Sequence, residues 1–334
     1  MSRILIIAEA GVNHNGDMDM ARRLIDVAAQ AGADVVKFQT FSSDRLATRT
    51  AAKASYQLET TDAGESQHDM LRRLELSEAM HDLLIAHAAS RSIEFLSTAF
   101  DERSVDLLAG KGLKRFKVPS GEITNLPYLR HVAAMAGQVI LSTGMATMTE
   151  IAAAIDAFEA SGLPRDRVVV LHCTTAYPAP MAEVNLSAMQ RIGSELGVQV
   201  GYSDHTRGIE VSIAAAALGA TVIEKHVTLD RTLPGPDHGA SLEPPELKAM
   251  VDAIRNIELA MGDGVKRPSP TEEKNALVAR KSLVATRLIK AGEVFSPSNV
   301  GAKRPGTGIS PMRIDDVLGK AARRDFATDE LIEL

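Results

Sequence analysis

Short apolar runs rich in β-branched residues alternate with longer segments of helical periodicity over residues 4–261. Apolar residues that recur every three or four positions predict amphipathic helices, whereas short continuous apolar runs predict buried strands. Strands are predicted at residues 4–8, 35–39, 93–97, 115–118, 139–142, 168–172, 198–202 and 221–224. Helices are predicted at residues 18–31, 77–90, 102–109, 126–136, 149–160, 186–196, 209–218 and 244–261.

Eight strand–helix units in a row predict an α/β fold of the (β/α)8 TIM-barrel type. A doubly wound open sheet is the competing arrangement, and it would place a glycine-rich phosphate-binding turn after the first strand. The residues at 9–13 are EAGVN instead, and the chain has no GxGxxG motif. We therefore expect a catalytic barrel domain over residues 1–262. The connection at residues 41–75 is long and polar, which is typical of a lid or a contact surface.

The pattern changes after residue 262. Residues 263–280 contain the string KRPSPTEEKN and are predicted to form a linker. Strand-like pieces at residues 281–285, 293–295 and 331–332, separated by turn signals, predict a small β-rich domain over residues 281–334. A segment of about 54 residues is marginal for independent stability, so we expect this domain to pack on another surface.

Composition and charge exclude several classes of protein. With 45% hydrophobic and 24% charged residues, the 334-residue chain is globular rather than disordered. The single cysteine, Cys173, excludes a disulfide framework or a cysteine-based zinc site and fits a reducing cytoplasm. The net charge of −6, without a polybasic run, makes nucleic acid an unexpected partner. No apolar run approaches the ~18 residues of a membrane span.

Two lysines are predicted at one end of the barrel, where the carboxyl ends of the strands carry the catalytic side chains. Lys37 and Lys117 lie on the second and fourth strands. Hydroxyl side chains follow nearby at Thr98, Ser120, Ser142 and Ser203. Ammonium groups and hydroxyl donors together suit an anion such as phosphate or carboxylate. Two alternatives remain: each lysine pairs with a barrel carboxylate such as Glu9 or Glu224, or one lysine is a Schiff-base nucleophile, as in barrel aldolases.

Two histidines, His205 and His226, end adjacent strands and are candidate ligands of a divalent metal ion. Imidazole suits manganese, iron, cobalt or zinc, and two protein ligands would leave positions for water and substrate. The alternative is that both are packing or hydrogen-bonding residues. The roles of His14 and His172 stay open between substrate contact and structure.

Carboxylates at strand ends are candidates for proton transfer. Glu9 follows the first strand, and Glu122 follows the fourth strand after a glycine that allows the chain to turn inward. At the mouth of a barrel such groups could transfer protons or bind sugar hydroxyls. The alternative is a solvated or ion-paired carboxylate.

Several strings are more specific than these patterns. The chain contains IIAEAGVNHNGD, VKFQTF, KVPSGEITNLPYL, LSTGMAT, LHCTTAYPAP, GYSDHT, EKHVTLD and PGPDHGASLEP in this order. Together they resemble the bacterial sialic acid synthase family, and the string KRPGTGISP resembles the antifreeze-protein-like (SAF) domain that ends such synthases. The resemblance implies an enzyme that condenses phosphoenolpyruvate with an N-acylated hexose to a nonulosonic acid and releases phosphate by C–O cleavage.

The resemblance also implies roles for individual residues. His205 and His226 would hold Mn²⁺, with Mg²⁺ or Co²⁺ as alternatives, and Glu122 would handle protons at the reacting centre. Phosphoenolpyruvate would be bound by Lys37, Thr98, Lys117, Ser120, Ser142 and Ser203. The acceptor sugar would contact Glu9, Gln39, Tyr177 and Asp237. Arg304 would reach the barrel of a second subunit, which implies a homodimer with exchanged C-terminal domains.

Two departures from the family pattern bear on the acceptor sugar. Ser97-Thr98-Ala99-Phe100 replaces a usual Ser-Thr-Pro-Phe, and Thr175 stands where some sialic acid synthases have an asparagine that faces the sugar. N-acetylmannosamine, giving N-acetylneuraminate, is the first expectation. The alternative is 2,4-diacetamido-2,4,6-trideoxymannose, giving N,N'-diacetyllegionaminate. A Schiff-base aldolase and a non-catalytic sugar-binding scaffold are the hypotheses from other classes.

Overall fold

Eight parallel strands close into a barrel, in which every strand pairs with its neighbours in chain order. This computed structural model describes residues 3–54, 57–58, 61–62 and 64–334. The chain divides into two compact units, Met1–Asp263 and Gly264–Leu334. The predicted TIM barrel is therefore confirmed, and the open doubly wound sheet is wrong.

All eight predicted strands are present in the barrel. They are β1 (Leu5–Gly11), β2 (Val35–Thr40), β3 (Glu94–Ala99), β4 (Arg115–Val118), β5 (Gln138–Ser142), β6 (Val168–Cys173), β7 (Gln199–Asp204) and β8 (Val222–His226). Strands β1, β3, β7 and β8 continue at least two residues further toward their carboxyl ends than the apolar pattern predicts. Their polar end residues keep the parallel register, with Glu9 opposite His226 and Asp204 opposite Lys225. These side chains are therefore held by the sheet rather than by flexible loops.

The helices of the barrel unit follow the strands. They are α1 (Met18–Ala31), α2 (Ser43–Leu46), α3 (Gln67–Arg73), α4 (Glu78–Ser90), α5 (Glu102–Gly110), α6 (Leu126–Met135), α7 (Met148–Ala160), α8 (Ser187–Leu196), α9 (Glu210–Ala217) and α10 (Pro244–Ala260). Local sequence sets the ends of α1: the Asp17 carboxylate accepts a hydrogen bond from the Met20 amide, and Gly32 ends the helix at φ +84°. No helix in the described part of the chain is long and apolar enough to cross a membrane.

The interior of the barrel is layered along its axis. Alternate residues of each strand point inward. Counted from the amino ends of the strands, the first inward layers are apolar. This interior cluster consists of Ile7, Val35, Leu96, Ile140, Val169, Leu171 and Val222. The next inward positions toward the carboxyl ends are polar, and all four are nearly inaccessible to solvent: Glu9, Lys37, Lys117 and Glu224. The filled apolar layer closes the barrel below, so the polar layer can be reached only from the carboxyl end.

The described part of the long connection between β2 and α4 includes the short helices α2 and α3. It contributes Phe41, Met70 and Leu74 to a small apolar cluster that also contains Val12. This cluster is separate from the large clusters that lie between the strands and the surrounding helices. The connection therefore has a packed core of its own at the carboxyl end of the barrel.

The second unit contains helix α11 (Pro270–Ala279) and an antiparallel pair of strands, β9 (Ser282–Ala285) and β10 (Val300–Lys303). Helix α11 lies inside the predicted linker segment, and it begins with a capping box between Ser269 and Glu272. The prediction of a strand at 293–295 is wrong, because an isolated bridge between Val294 and Ala321 forms there instead. The strand at 300–303 was not predicted because its sequence, VGAK, contains a single β-branched residue.

Candidate active site

A central cavity of about 180 Å³ lies at the carboxyl end of the barrel strands. Each of the eight strands contributes at least one side chain to its lining. The strand residues that line it are Glu9, Lys37, Gln39, Thr98, Lys117, Ser142, Cys173, Ser203, Glu224 and His226. Loop residues complete the lining: Phe100, Pro119, Ser120, Gly121, Met145, Thr175, Tyr177 and His205. The cavity therefore collects most of the predicted site residues in one place.

Four charged side chains form a buried ionic cluster at the floor of this cavity. Lys37 Nζ lies 2.7 Å from Glu9 Oε2 and 3.6 Å from Glu224 Oε2. Lys117 Nζ lies 2.7 Å from Glu224 Oε1. No side chain of the four exposes more than 5% of its surface. The alternative in which each lysine pairs with a barrel carboxylate is thus confirmed, and Glu224 lies between both ammonium groups.

The pKa values in the ionic cluster follow from burial and from this pairing. Burial disfavours the charged form of Glu224, but Lys117 and Lys37 outweigh it and hold the pKa of this carboxyl well below its usual range. Burial raises the pKa of Glu9 to about 7, against the opposing effect of Lys37. Burial also lowers the pKa of Lys117, whereas Glu224 and Glu9 overcome burial and raise the pKa of Lys37.

Hydroxyl groups surround the ionic cluster. Lys37 Nζ donates to Thr98 Oγ1 at 2.8 Å, and Ser203 Oγ donates to Glu224 Oε1 at 2.8 Å. Ser120 Oγ accepts a hydrogen bond from the Gly144 amide at 2.9 Å. An anion that enters the cavity would meet two ammonium groups and several hydroxyl groups, which is the chemistry of a phosphate or carboxylate site.

The two candidate metal ligands lie side by side at the rim of the ionic cluster. The rings of His205 and His226 are 5.5 Å apart, centroid to centroid. His205 Nδ1 donates to the Thr174 carbonyl oxygen at 2.7 Å, which leaves Nε2 with its lone pair. His226 Nδ1 is buried without a hydrogen-bond partner among the described residues, and Asp237 Oδ2 lies 3.7 Å away.

These histidines fit a divalent cation. Burial lowers the pKa of both, so both imidazoles are neutral, which is the form that binds metal. Within the described ranges, no group of three or more histidine, cysteine or carboxylate side chains could hold a metal ion. A cation held here would have two imidazoles as its protein ligands, and water or substrate oxygens would supply the others.

A second buried ion pair is formed by the residues that directly precede the two histidines in sequence. Lys225 Nζ is 3.0 Å from Asp204 Oδ2, and both side chains are fully buried. The Asp204 carboxylate also accepts hydrogen bonds from the Thr206 amide and from Ser212 Oγ. This pair joins the ends of β7 and β8 and so fixes the spacing of the residues that follow on each strand.

The predicted acceptor-binding residues lie at one side of the cavity. Gln39 Nε2 is 3.4 Å from Glu9 Oε1, and the Tyr177 ring is centred 4.2 Å from the ring of His205. Asp237 lines a second, adjoining cavity of about 210 Å³. Burial raises the pKa of Asp237 to about 6. The structure therefore places these four residues around the junction of two connected cavities.

Two predicted site residues, Glu122 and Arg304, line neither of these two cavities. Glu122 ends the short 3-10 helix after β4, and its carboxylate accepts a hydrogen bond from Asn125 Nδ2 at 2.6 Å. Its neighbour Gly121 lines the cavity, but Glu122 does not. Arg304 belongs to the second unit, where its Nε donates to the Ala279 carbonyl oxygen. Their predicted roles stay predictions.

The two histidines whose roles were open make structural contacts. His14 is fully buried, and its Nδ1 accepts a hydrogen bond from the Gly16 amide at 3.0 Å. His172 Nε2 lies 2.9 Å from the Val184 carbonyl oxygen. Sequence reasoning missed Glu224 as a site residue. Its position could have identified it, because Glu224 lies two residues before His226 on one strand and both side chains therefore lie on the same face.

Comparison with known proteins identifies the family. Residues 24–266 match the NeuB family, and residues 280–333 match the SAF domain. An N,N'-diacetyllegionaminic acid synthase of Campylobacter jejuni is 55% identical over 99% of both chains. One of Legionella pneumophila is 48% identical over 94% of this chain and 89% of its own. The crystal structure of an N-acetylneuraminic acid (sialic acid) synthetase from Leptospira borgpetersenii superposes with a TM-score of 0.72 at 35% identity, covering 82% of this chain and 90% of that one.

The chain therefore belongs to the NeuB family and ends in a SAF domain. It is an enzyme of the phosphoenolpyruvate-dependent condensing class that the resemblance implied. The non-catalytic scaffold and the Schiff-base aldolase hypotheses are wrong. Active sites of TIM-barrel enzymes lie at the carboxyl end of the strands, and the ionic cluster occupies that position here.

Replacing Glu224 by glutamine tests the charge balance of the ionic cluster. The substitution leaves two buried ammonium groups with one carboxylate, so we expect the free energy of unfolding to fall by about 3 kcal/mol. Inorganic phosphate should restore part of this loss, because an anion between the lysines replaces the missing charge. Urea denaturation at constant ionic strength, with and without phosphate, measures both effects.

The matched control is Glu94→Gln, which removes a half-exposed carboxylate paired with Arg115. An exposed ion pair contributes at most about 1 kcal/mol, so this variant should lose little stability and gain nothing specific from phosphate. Equal stability of the two variants would contradict the predicted role of Glu224.

Proposed function

We propose that this member of the NeuB family condenses phosphoenolpyruvate with 2,4-diacetamido-2,4,6-trideoxymannose and water to give N,N'-diacetyllegionaminate and phosphate. The identity of 55% to a named N,N'-diacetyllegionaminic acid synthase over 99% of the chain carries the choice of acceptor. Human N-acetylneuraminate-9-phosphate synthase is 34% identical over 98% of the chain. These values favour the trideoxy sugar over N-acetylmannosamine, which the sequence had put first.

The ionic cluster supports the binding of phosphoenolpyruvate. Lys37 and Lys117 are the ammonium groups in the floor of the central cavity, and they can pair with the phosphate and carboxylate of the substrate. Glu224 keeps both lysines charged and close together before the substrate arrives. Thr98, Ser120, Ser142 and Ser203 add hydrogen-bonding groups around the anion.

The reaction joins C3 of phosphoenolpyruvate to the aldehyde carbon of the open-chain sugar. Electron flow from the enol leaves positive charge at C2, and water adds there. One proton of this water balances the proton gained by the aldehyde oxygen, and the second leaves with the phosphate after C–O cleavage. Lys37 and Lys117 stabilise the charge on the departing phosphate. Glu122 is proposed to accept a proton from the attacking water.

His205 and His226 are the residues that would hold Mn²⁺, or alternatively Mg²⁺ or Co²⁺. A bound divalent cation supplies Lewis-acid polarisation of the aldehyde oxygen. The Thr174 carbonyl fixes the tautomer of His205, and Tyr177 covers its ring. Arg304 is proposed to act on the barrel of a second subunit in a homodimer with exchanged SAF domains.

The release of phosphate from phosphoenolpyruvate tests the acceptor directly. Chelator-stripped protein is assayed with and without Mn²⁺, using 2,4-diacetamido-2,4,6-trideoxymannose and N-acetylmannosamine in parallel. We expect Mn²⁺-dependent release with the diacetamido sugar and a much lower kcat/KM with N-acetylmannosamine. A preference for N-acetylmannosamine, or release without any added metal, would contradict the proposal.

The variant Glu122→Gln tests the proposed proton acceptor. We expect turnover to be abolished, because glutamine cannot accept a proton from water, while phosphoenolpyruvate binding stays measurable by calorimetry. Asn125→Ala serves as the control, since it removes the hydrogen-bond partner of Glu122 but keeps the carboxylate. Near-normal turnover of Glu122→Gln would exclude Glu122 from this role.

A further inference from the structure

The second cavity continues from the central one at the acceptor side. Its volume is about 210 Å³, and both cavities are lined by Gln39, Phe100, Tyr177 and His226. The central cavity, at about 180 Å³, is smaller than the roughly 300–1,000 Å³ of common small-molecule sites, although two substrates must react there. The reacting aldehyde has to meet phosphoenolpyruvate above the lysines. The predicted acceptor residues Gln39, Tyr177 and Asp237 line the second cavity, so this cavity is where the far end of the sugar is placed.

One side of the second cavity is an apolar wall, which we define as Leu46, Met70, Leu71 and Leu74. All four residues belong to the long connection between β2 and α4. Met70 and Leu74 are buried in the small apolar cluster of this connection, and Leu46 and Leu71 pack against it while remaining partly exposed. The wall offers methyl and methylene groups to whatever occupies the cavity, and it has no side-chain donor or acceptor of its own.

Ion pairs fix the segment that carries the apolar wall. Lys53, whose side chain is 1% exposed, donates to Thr61 Oγ1, the Asp62 carbonyl oxygen and Glu65 Oε1 at 2.9, 2.7 and 3.0 Å. Glu65 in turn lies 2.6 Å from Arg73 NH1, at the end of the helix that carries Met70 and Leu71. The wall is therefore held in place before the sugar binds, and this lowers the cost of ordering it.

We infer that the apolar wall selects acceptors that carry a methyl group at C6, an inference that rests on the proposed function. The far end of 2,4-diacetamido-2,4,6-trideoxymannose is a C6 methyl group, whereas N-acetylmannosamine has a hydroxyl group there. A hydroxyl placed against the wall loses its hydrogen bonds to water without gaining a partner, and a methyl group loses nothing. Gln57 and Asp237 line the same cavity and supply the polar contacts for the rest of the sugar.

Three acceptors separate the effect of C6 from that of the second acetamido group. They are N-acetylmannosamine, its 6-deoxy derivative, and 2,4-diacetamido-2,4,6-trideoxymannose. The readout is kcat/KM from phosphate release, or the inhibition constant for any sugar that is not turned over. The wild-type enzyme should prefer the 6-deoxy derivative over N-acetylmannosamine by about tenfold or more, the size of discrimination that an apolar pocket gives.

The variant Leu71→Gln places a polar group in the wall at a partly exposed position that the fold can tolerate. We expect it to reduce the C6 preference to about threefold or less, whereas Leu71→Met should retain it. Met135→Gln, which changes an exposed methionine of α6, is the control and should keep the wild-type preference. If Leu71→Gln does not fold, Leu46→Gln is measured in the same way.

The outcomes distinguish this inference from the proposed function. Equal use of N-acetylmannosamine and its 6-deoxy derivative by the wild type, or an unchanged preference in Leu71→Gln, overturns the role of the wall. That result leaves the proposed function intact as long as the diacetamido sugar is turned over. Failure with the diacetamido sugar overturns the proposed function, and the comparison of the other two sugars then decides the role of the wall alone.

Discussion

Two lysines can remain charged in the interior of this barrel because two carboxylates are buried beside them. An isolated buried charge is strongly unfavourable, and its pKa shifts until the group is neutral. Glu224 lies between Lys37 and Lys117, and Glu9 contacts Lys37 from the other side. The cluster thus combines two ammonium groups with two carboxyl groups, and all four residues line the cavity. This arrangement allows an anionic substrate to bind without requiring new positive charge.

The geometry of the barrel places the rest of the site around this cluster. Strand alternation puts an apolar layer beneath the charges and hydroxyl groups beside them, since Lys117 is paired in register with Thr98, and Ser203 with Glu224. The histidines lie one inward position further along β8 and just beyond β7. The long connection after β2 closes the acceptor side with apolar residues. In the proposed reaction, phosphoenolpyruvate binding depends on the strands, and the choice of sugar depends on the connection.

Much of this arrangement could be predicted from the sequence, because a parallel strand that is buried on both faces reads as a continuous apolar run. Helix α1 was predicted to the residue, since Asp17 and Gly32 are strong end signals. The sequence also predicted that the lysines, hydroxyl groups and histidines lie together, because the carboxyl ends of all barrel strands meet at one end of the barrel. The full lengths of β1, β7 and β8 could not be predicted, because their polar ends are held by neighbouring strands rather than by their own strand propensity.

The remaining features depend on tertiary packing that no local pattern encodes. Glu224 was considered only as a possible partner of a lysine, and its central position results from the meeting of β2, β4 and β8. The hydrogen bond of Glu122 to Asn125 depends on a rotamer in the turn after β4. The residues of the apolar wall are up to 28 positions apart, from Leu46 to Leu74. The wall could not be predicted, because the connection as a whole is polar in sequence.

The most direct test of this account is a calorimetric titration of phosphoenolpyruvate into the wild-type enzyme and into Lys117→Met. Methionine has a similar length to lysine but no charge, and removing one partner of a buried charged contact weakens binding by a few kcal/mol. We expect at least about a hundredfold loss of affinity. We expect no change in Lys248→Met, which alters an exposed lysine on α10. An unchanged affinity in Lys117→Met would contradict the assignment of the ionic cluster as the phosphoenolpyruvate site.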